Sequence, residues 1–273
     1  MTRLRLAAVQ TSPVFGKVDS NVDTALALVP ADADLVVLPE LFATGYQFRD
    51  RDELMALAEP IAGPVAGPTV ARLRDHAAAT DTTLCAGLAE RDGDVLYNSS
   101  VLVRPDGSVE IYRKTHLFWN EKLIFTPGDL GFGVFEACGT TVGMMICFDW
   151  IFPEAARTLA LRGAKILLHP SNLILDLCPD AMITRCIENR VFAVTANRVG
   201  TEDRTDGQAL TFSGLSQICG PMGKALVRMG ATGDGVASAD IDLVDADRQL
   251  TPLNELWEDR RPEFYDGTVT PRR

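Results

Sequence analysis

Apolar and polar positions alternate along the chain between a strand pattern and a helix pattern. Residues 4–10 read as a strand, 21–28 as a helix, 35–38 as a short buried strand, and 69–79, after Gly67-Pro68, as an amphipathic helix. Strands then dominate at 83–90, 98–104 and 109–113, separated by the turn signals Asp92-Gly93 and Pro105-Asp106-Gly107. Beyond a loop over 117–131, the pattern predicts strands near 132–136 and 140–147, a helix near 153–162, a buried strand over 166–169 and a helix near 179–190. Residues 192–197 read as a strand and Arg204-Thr205-Asp206-Gly207 as an exposed loop. Residues 215–219 and 225–229 form a hairpin around Gly220-Pro221-Met222-Gly223, and 236–241 is a last strand before a polar C-terminal tail. Two β-rich halves with flanking helices predict two sheets covered by helices. The apolar strands 35–40 and 166–172, each ending in a proline and a polar residue, are a faint internal echo.

Composition narrows the setting. With 273 residues and 47% hydrophobic content the chain can bury a large core as one α/β domain. The balance of 26 basic against 37 acidic side chains gives a net charge of −11 without a basic stripe, which argues against nucleic acid and against an anionic membrane surface. The longest apolar runs, 142–148 and 164–170, are too short to span a bilayer, and the N-terminus enters a strand with no charged-then-apolar leader, so a cytoplasmic location is expected. Cys85, Cys138, Cys147, Cys178, Cys186 and Cys219 lie far apart with no C-x-x-C pair, so neither a zinc site nor a disulfide framework is expected. No Gly-rich phosphate loop is present, and no metal or cofactor is implied.

Cys147 carries the first chemical signal. It closes the apolar run Val142-Gly143-Met144-Met145-Ile146 and leads into Phe148-Asp149-Trp150 and Phe152-Pro153-Glu154. A strand that ends in cysteine and turns into a helix start sets the sulfur at a sheet edge near helix N–H groups, the setting of a nucleophilic thiol. The alternative is a buried cysteine acting as a small hydrophobe. Two further segments weigh against that alternative. Glu40 ends the apolar strand Asp34-Leu35-Val36-Val37-Leu38-Pro39 among apolar and small neighbours, where desolvation makes a carboxylate a stronger base. Lys114 is carried from the alternating strand 109–113 into the aromatic stretch His116-Leu117-Phe118-Trp119. A papain-like pair would instead need His116 or His169 as base; a structural hydrogen-bonding role is the commoner one for such histidines.

Strand ends delivering Glu, Lys and Cys resemble the nitrilase superfamily of carbon–nitrogen hydrolases. The resemblance runs from Arg5-Leu6-Ala7-Ala8-Val9-Gln10 to Asp259-Arg260-Arg261-Pro262-Glu263-Phe264-Tyr265. It passes through Leu38-Pro39-Glu40-Leu41-Phe42, Tyr112-Arg113-Lys114-Thr115-His116-Leu117, Phe125-Thr126-Pro127-Gly128-Asp129 and Ile146-Cys147-Phe148-Asp149. It implies a four-layer α-β-β-α sandwich in a single domain and a Glu40-Lys114-Cys147 triad. A second acid shortly after the lysine falls on Glu121, whose other reading is a solvated loop carboxylate paired with Lys122. In this scheme Cys147 forms a thioester, Glu40 is the general base, Lys114 with a backbone N–H around Phe148 holds the oxyanion, and Glu121 keeps Lys114 charged and aimed.

The resemblance also implies a homodimer or higher homo-oligomer in which the C-terminal segment, here 247–273, crosses to the partner. Leu250, Leu253, Leu256, Trp257, Phe264 and Tyr265 supply apolar groups for that contact, or for packing on the same subunit. Substrate-binding positions fall on Tyr46, Trp119, Phe148, Trp150 and Asn172. Their apolar character favours a small neutral acyl group, unless Arg185, Arg190 or Arg198 points inward. Within the family, Cys147-Phe148-Asp149-Trp150 resembles amidase and N-carbamoyl-amine hydrolase versions more than the Cys-Trp-Glu pattern of true nitrilases, and hydrolysis of small aliphatic amides is expected. Nitriles and N-carbamoyl amines are the alternatives, and a non-catalytic binding protein on the same fold comes last.

Overall fold

The computed structural model describes residues 3–61, 66–205 and 208–265. Asp206 and Gly207 of the expected exposed loop, and residues 266–273 of the tail, lie outside them. The first half contains β1 (Arg3–Gln10), α1 (Val18–Ala27), β2 (Leu35–Val37), α2 (Arg51–Leu57), α3 (Pro68–Thr80), β3 (Thr83–Asp92), β4 (Val95–Val103), β5 (Val109–Arg113) and the single turn α4 (Glu121–Ile124). The second half follows with β6 (Val134–Ala137), β7 (Thr140–Met144), a 3₁₀ turn over Cys147–Ile151, α5 (Pro153–Leu161), β8 (Ile166–Ser171), α6 (Cys178–Asn189) and β9 (Phe192–Asn197). After these come the short pair β10 (Thr201–Glu202) and β11 (Leu210–Thr211), then β12 (Gln217–Gly220), β13 (Lys224–Arg228), β14 (Gly235–Asp242), β15 (Gln249–Thr251) and β16 (Asn254–Glu255).

Two six-stranded sheets result, ordered β14-β1-β2-β3-β4-β5 and β13-β12-β9-β8-β7-β6. Along the first, pairing runs antiparallel, parallel, parallel, antiparallel, antiparallel. Along the second, starting from β6, it runs in the same sequence. β2 and β8 therefore hold equivalent places, and these are the two strands of the echo.

Period-two alternation decides which layer each strand residue enters. In the first sheet Leu4, Leu6, Ala8, Leu35 and Val37 join the core shared with Val142, Met144, Ile166 and Leu168 of the second sheet. Their neighbours Ala7, Val9, Val36 and Leu38 face the other way, onto Val22 and Ala25 of α1 and Val70, Leu73 and Ala77 of α3. Leu159 and Ala160 of α5 and Met182 and Cys186 of α6 cover the far side of the second sheet. The order is thus helices, sheet, sheet, helices. Each sheet is sandwiched, so its parallel strands can be apolar on both faces.

The expected elements are present with shifted ends, α1 starting at Val18 rather than 21. α2 was not expected. Its start is capped by Asp50, which accepts from the Glu53 N–H at 2.8 Å, while the Glu53 carboxylate accepts from the N–H of Arg49, just before the cap, at 2.8 Å. Among the described residues no helix is long and apolar enough to cross a membrane.

Candidate active site

The site forms where chain segments leave the C-terminal ends of β2, β5 and β7. After β2 the chain stays extended along β3, with the Leu38 N–H on the Cys85 carbonyl at 2.7 Å and the Gly87 N–H on the Pro39 carbonyl at 3.1 Å. Glu40 is thereby pressed against β3. A Cβ on Gly87 would stand 2.4 Å from the Glu40 Cα, so only glycine lets the carboxylate's backbone come this close. Lys114 follows β5, its N–H on the Asn98 carbonyl of β4 and its own carbonyl taking the Gly128 N–H, each at 2.8 Å. A Cβ on Gly128 would lie 2.0 Å from the Arg113 carbonyl oxygen, which gives the Pro127-Gly128-Asp129 motif its physical reason.

These segments converge on one buried ammonium. Lys114 Nζ donates to Glu40 Oε1 and to Glu121 Oε1, both at 2.7 Å, and all three side chains are almost entirely withdrawn from solvent. Glu40 Oε1 also accepts from Asn98 Nδ2 at 2.7 Å, while Glu40 Oε2 is buried without a partner among the described residues. Glu121, at the start of α4, accepts the Tyr46 hydroxyl on Oε1 at 2.7 Å and the Phe118 N–H on Oε2 at 3.0 Å. It is therefore not the solvated partner of Lys122 that its loop position also permitted.

Cys147 sits on a sharp turn between β7 and the 3₁₀ segment, with φ of 40°, in the left-handed region that costs an ordinary side chain energy. Two contacts hold it there. His169 Nε2 donates to the Cys147 carbonyl at 2.9 Å. Asp149 Oδ2 accepts the N–H of the preceding Ile146 at 2.9 Å. Asp149 also ties the turn to the lysine segment: Oδ2 takes the Tyr112 hydroxyl at 2.6 Å, and Oδ1 takes the His116 N–H at 3.2 Å and meets His116 Nδ1 at 2.7 Å. Neither histidine is thus arranged as a thiol-activating base: one holds a carbonyl, the other a carboxylate.

Electrostatics in the cluster follow from burial and from the charges present. Burial alone would lower the Lys114 pKa; the Glu121 and Glu40 carboxylates outweigh it and hold the ammonium above its ordinary range. Burial raises the Glu121 pKa against the pull of Lys114. Burial pushes the Cys147 thiol well up, Glu40 adds to that, and Lys114 opposes it. The thiol is therefore neutral at rest.

Around this cluster, Tyr46 directs its hydroxyl to Glu121 and its ring edge-on to Phe212 at 5.8 Å. Phe148 lies against Phe118 at 5.0 Å, and Phe118 in turn meets the half-exposed Trp119 at 6.4 Å. Trp150 is buried in the core cluster that includes residues of α5 and α6. Asn172 is buried with both side-chain polar atoms unpartnered among the described residues. Of the three arginines, Arg185 binds the Trp150 carbonyl and Glu188, and Arg190 binds the carbonyls of Asp247, Asp245 and Pro221. Arg198 is paired with Glu202. Asn98 was not singled out from sequence, and no local pattern marks it. Tyr112 and Asp149 were visible only as members of their motifs, and His169 only as the alternative base for the thiol or a structural hydrogen-bonding residue.

The fold and this convergence of strand ends define a nitrilase-type α-β-β-α sandwich. The carbon-nitrogen hydrolase family model matches residues 5–249, and the chain belongs to that family. It is 45% identical over 267 residues to a protein named nitrilase from Pyrococcus abyssi, across 96% of this chain and 99% of the relative. It is 32% identical over 277 residues to an N-carbamoylputrescine amidase from Solanum tuberosum, across 93% and 91% of the two chains. The crystal structure of a carbon-nitrogen hydrolase from Helicobacter pylori G27 superposes with a TM-score of 0.88 at 27% identity, covering 99% of this chain and 100% of the other. The protein is a carbon–nitrogen hydrolase.

Proposed function

We propose that the protein hydrolyses small aliphatic amides to carboxylic acid and ammonia through a thioester on Cys147. The observation that carries this reading is Glu40, a buried carboxylate with one oxygen fixed by Lys114 and Asn98 and the other without a partner among the described residues, whose charge acts on the Cys147 thiol. In the first step the Cys147 proton passes to Glu40 as the sulfur bonds to the amide carbon. Charge then moves from carboxylate to substrate without adding a second net negative charge to the buried cluster. The oxyanion faces Lys114 and a backbone N–H around Phe148; Glu121, supported by Tyr46, keeps the lysine aimed. As the C–N bond breaks, Glu40 returns the proton to nitrogen and ammonia leaves. Glu40 next takes a proton from water, whose oxygen attacks the thioester, and the acid departs as the thiol is restored.

A small neutral acyl group suits the site because Arg185, Arg190 and Arg198 are all engaged elsewhere. Tyr46, Trp119, Phe148, Trp150 and Asn172 are the pocket residues in this reading. Nitriles are the second reading, favoured by the name of the Pyrococcus relative. N-carbamoyl amines are the third, favoured by the Solanum relative. We further assign the tail over 247–273 to a homodimer contact and the protein to the cytoplasm.

The test is a product assay over matched amides, nitriles and N-carbamoyl amines. Ammonia without carbon dioxide from the amides is expected. Cys147→Ala should abolish turnover while the fold survives, and Lys114→Ala should lower kcat by about a hundredfold or more rather than only raise KM. Unchanged ammonia release in Cys147→Ala would refute the catalytic assignment.

A further inference from the structure

An ion pair far from the reacting atoms in sequence, Arg198 with Glu202, is nearly as withdrawn from water as Lys114 itself. A buried pair of this kind is weak evidence for stability, because desolvation offsets most of the attraction. Its partners point to another purpose. The Glu202 carboxylate accepts the backbone N–H of Tyr46 at 3.1 Å and of Gln47 at 2.6 Å. Arg198 fixes that carboxylate and also donates to the Pro13 carbonyl at 3.1 Å. The guanidinium lies 4.0 Å over the ring of Phe212, the same ring that receives the edge of Tyr46. Gly45, with φ of 85°, lets the loop turn against this carboxylate: a Cβ there would meet Glu202 Oε1 at 2.9 Å. Tyr46 is therefore gripped at backbone and ring, and its one polar atom is delivered to Glu121 Oε1, the oxygen that also holds Lys114 Nζ.

We propose that Arg198 and Glu202 are positioning residues for the reaction, acting through Tyr46 to set Glu121 and hence the ammonium that meets the oxyanion. This inference rests on the hydrolase reading above. The pair touches no substrate; it fixes a loop whose displacement by a fraction of an ångström would swing the Tyr46 hydroxyl off Glu121.

A double-mutant cycle tests it, using the best amide substrate and the full chain. Tyr46→Phe and Glu202→Gln are each expected to lower kcat by about tenfold, the scale of one lost hydrogen bond, with KM changed less than about threefold. Because both act on one contact, combining them should cost little more than either alone. Glu202→Gln leaves Arg198 buried without its partner charge, so Arg198→Met/Glu202→Leu is run beside it. This pair removes the carboxylate without stranding a charge, and its kcat should likewise be insensitive to adding Tyr46→Phe. Losses that multiply to about a hundredfold in both backgrounds, or an apolar pair with wild-type kcat, overturn the proposal and leave the hydrolase reading standing. A wild-type protein without Cys147-dependent hydrolysis removes that reading and this inference with it.

Discussion

Lys114 shows how residue-scale chemistry was set by what surrounds one atom. A lone buried lysine would shed its proton; with two carboxylates at 2.7 Å it keeps it. The same reasoning applied to His169 gives a pH prediction. Its Nε2 donates to the Cys147 carbonyl, and Nδ1 meets the Thr195 hydroxyl at 3.1 Å. The Ser171 hydroxyl is also within reach, and Asp149, Glu40 and Lys114 act on it through their charges. Burial lowers its pKa below the ordinary 6.5, so the folded protein holds it neutral while the unfolded chain protonates. The unfolded state then binds more protons as pH falls below about 6.5. The stability due to a neutral His169 is fully present above that value and is lost below it, by at most about 1.4 kcal/mol per pH unit. Glu121, raised by burial, contributes in the opposite sense, with stability lost as pH rises through its folded value. Comparison with His169→Gln, which keeps a donor for the carbonyl but cannot titrate, isolates the histidine. Between pH 6.5 and 5.5 the wild-type Tm is expected to fall relative to the variant by up to about 2–4 °C. Parallel melting curves across that range would show that His169 does not carry this linkage.

At the scale of elements, what could be read from sequence was what period and turn chemistry encode. The strands 4–10, 83–90 and 192–197 alternate or run apolar between clear breaks, and the structure has strands there. The ends of β2, β5 and β7 carried Glu40, Lys114 and Cys147 as motif residues, and the structure brings them together. Legibility failed where a contact is made only in three dimensions: Asn98 reaches Glu40 across sheet neighbours, and His169 reaches Cys147 from the next strand. α2 had a local signal in Asp50 and Glu53, but its seven residues bury only Leu54 and show little helical period. Gly87 lies within the expected 83–90 strand, where an isolated glycine marks a bulge or a close backbone approach; here it marks the approach of Glu40. Gly87→Ala should therefore act at two levels. Overpacking against the Glu40 backbone is expected to cost about 1–3 kcal/mol of stability. Displacing the carboxylate should lower kcat by at least about tenfold at temperatures where the variant is folded. Denaturant melts and steady-state kinetics read the two effects separately. A variant that is destabilised yet keeps its full kcat would show that Glu40 does not depend on this packing.

For the whole molecule, the four layers leave the C-terminal tail as the part whose packing is incomplete. Trp257 packs against the core cluster that includes α5, with Arg157 of that helix over its ring at 5.0 Å, so the tail is anchored on its own subunit there. The β15–β16 pair is a two-stranded hairpin, which is marginal in water without a surface to lie on. Leu253 is 90% exposed and Phe264 72% exposed, so one subunit alone does not cover them. A second copy of the chain covering this tail would account for both facts, and that is the dimer proposed above. Sedimentation of the wild type at micromolar concentration is expected to give twice the chain mass. Leu253→Asp with Phe264→Asp should shift it to the monomer, because two charges placed in a dimer contact are stranded away from water. In a monomer the same two positions are solvent-exposed, where substitutions change stability by only about 0.5 kcal/mol. The substituted monomer should therefore melt cooperatively. A wild type that sediments as a monomer, or a doubly substituted protein that stays dimeric, would remove the tail from the interface.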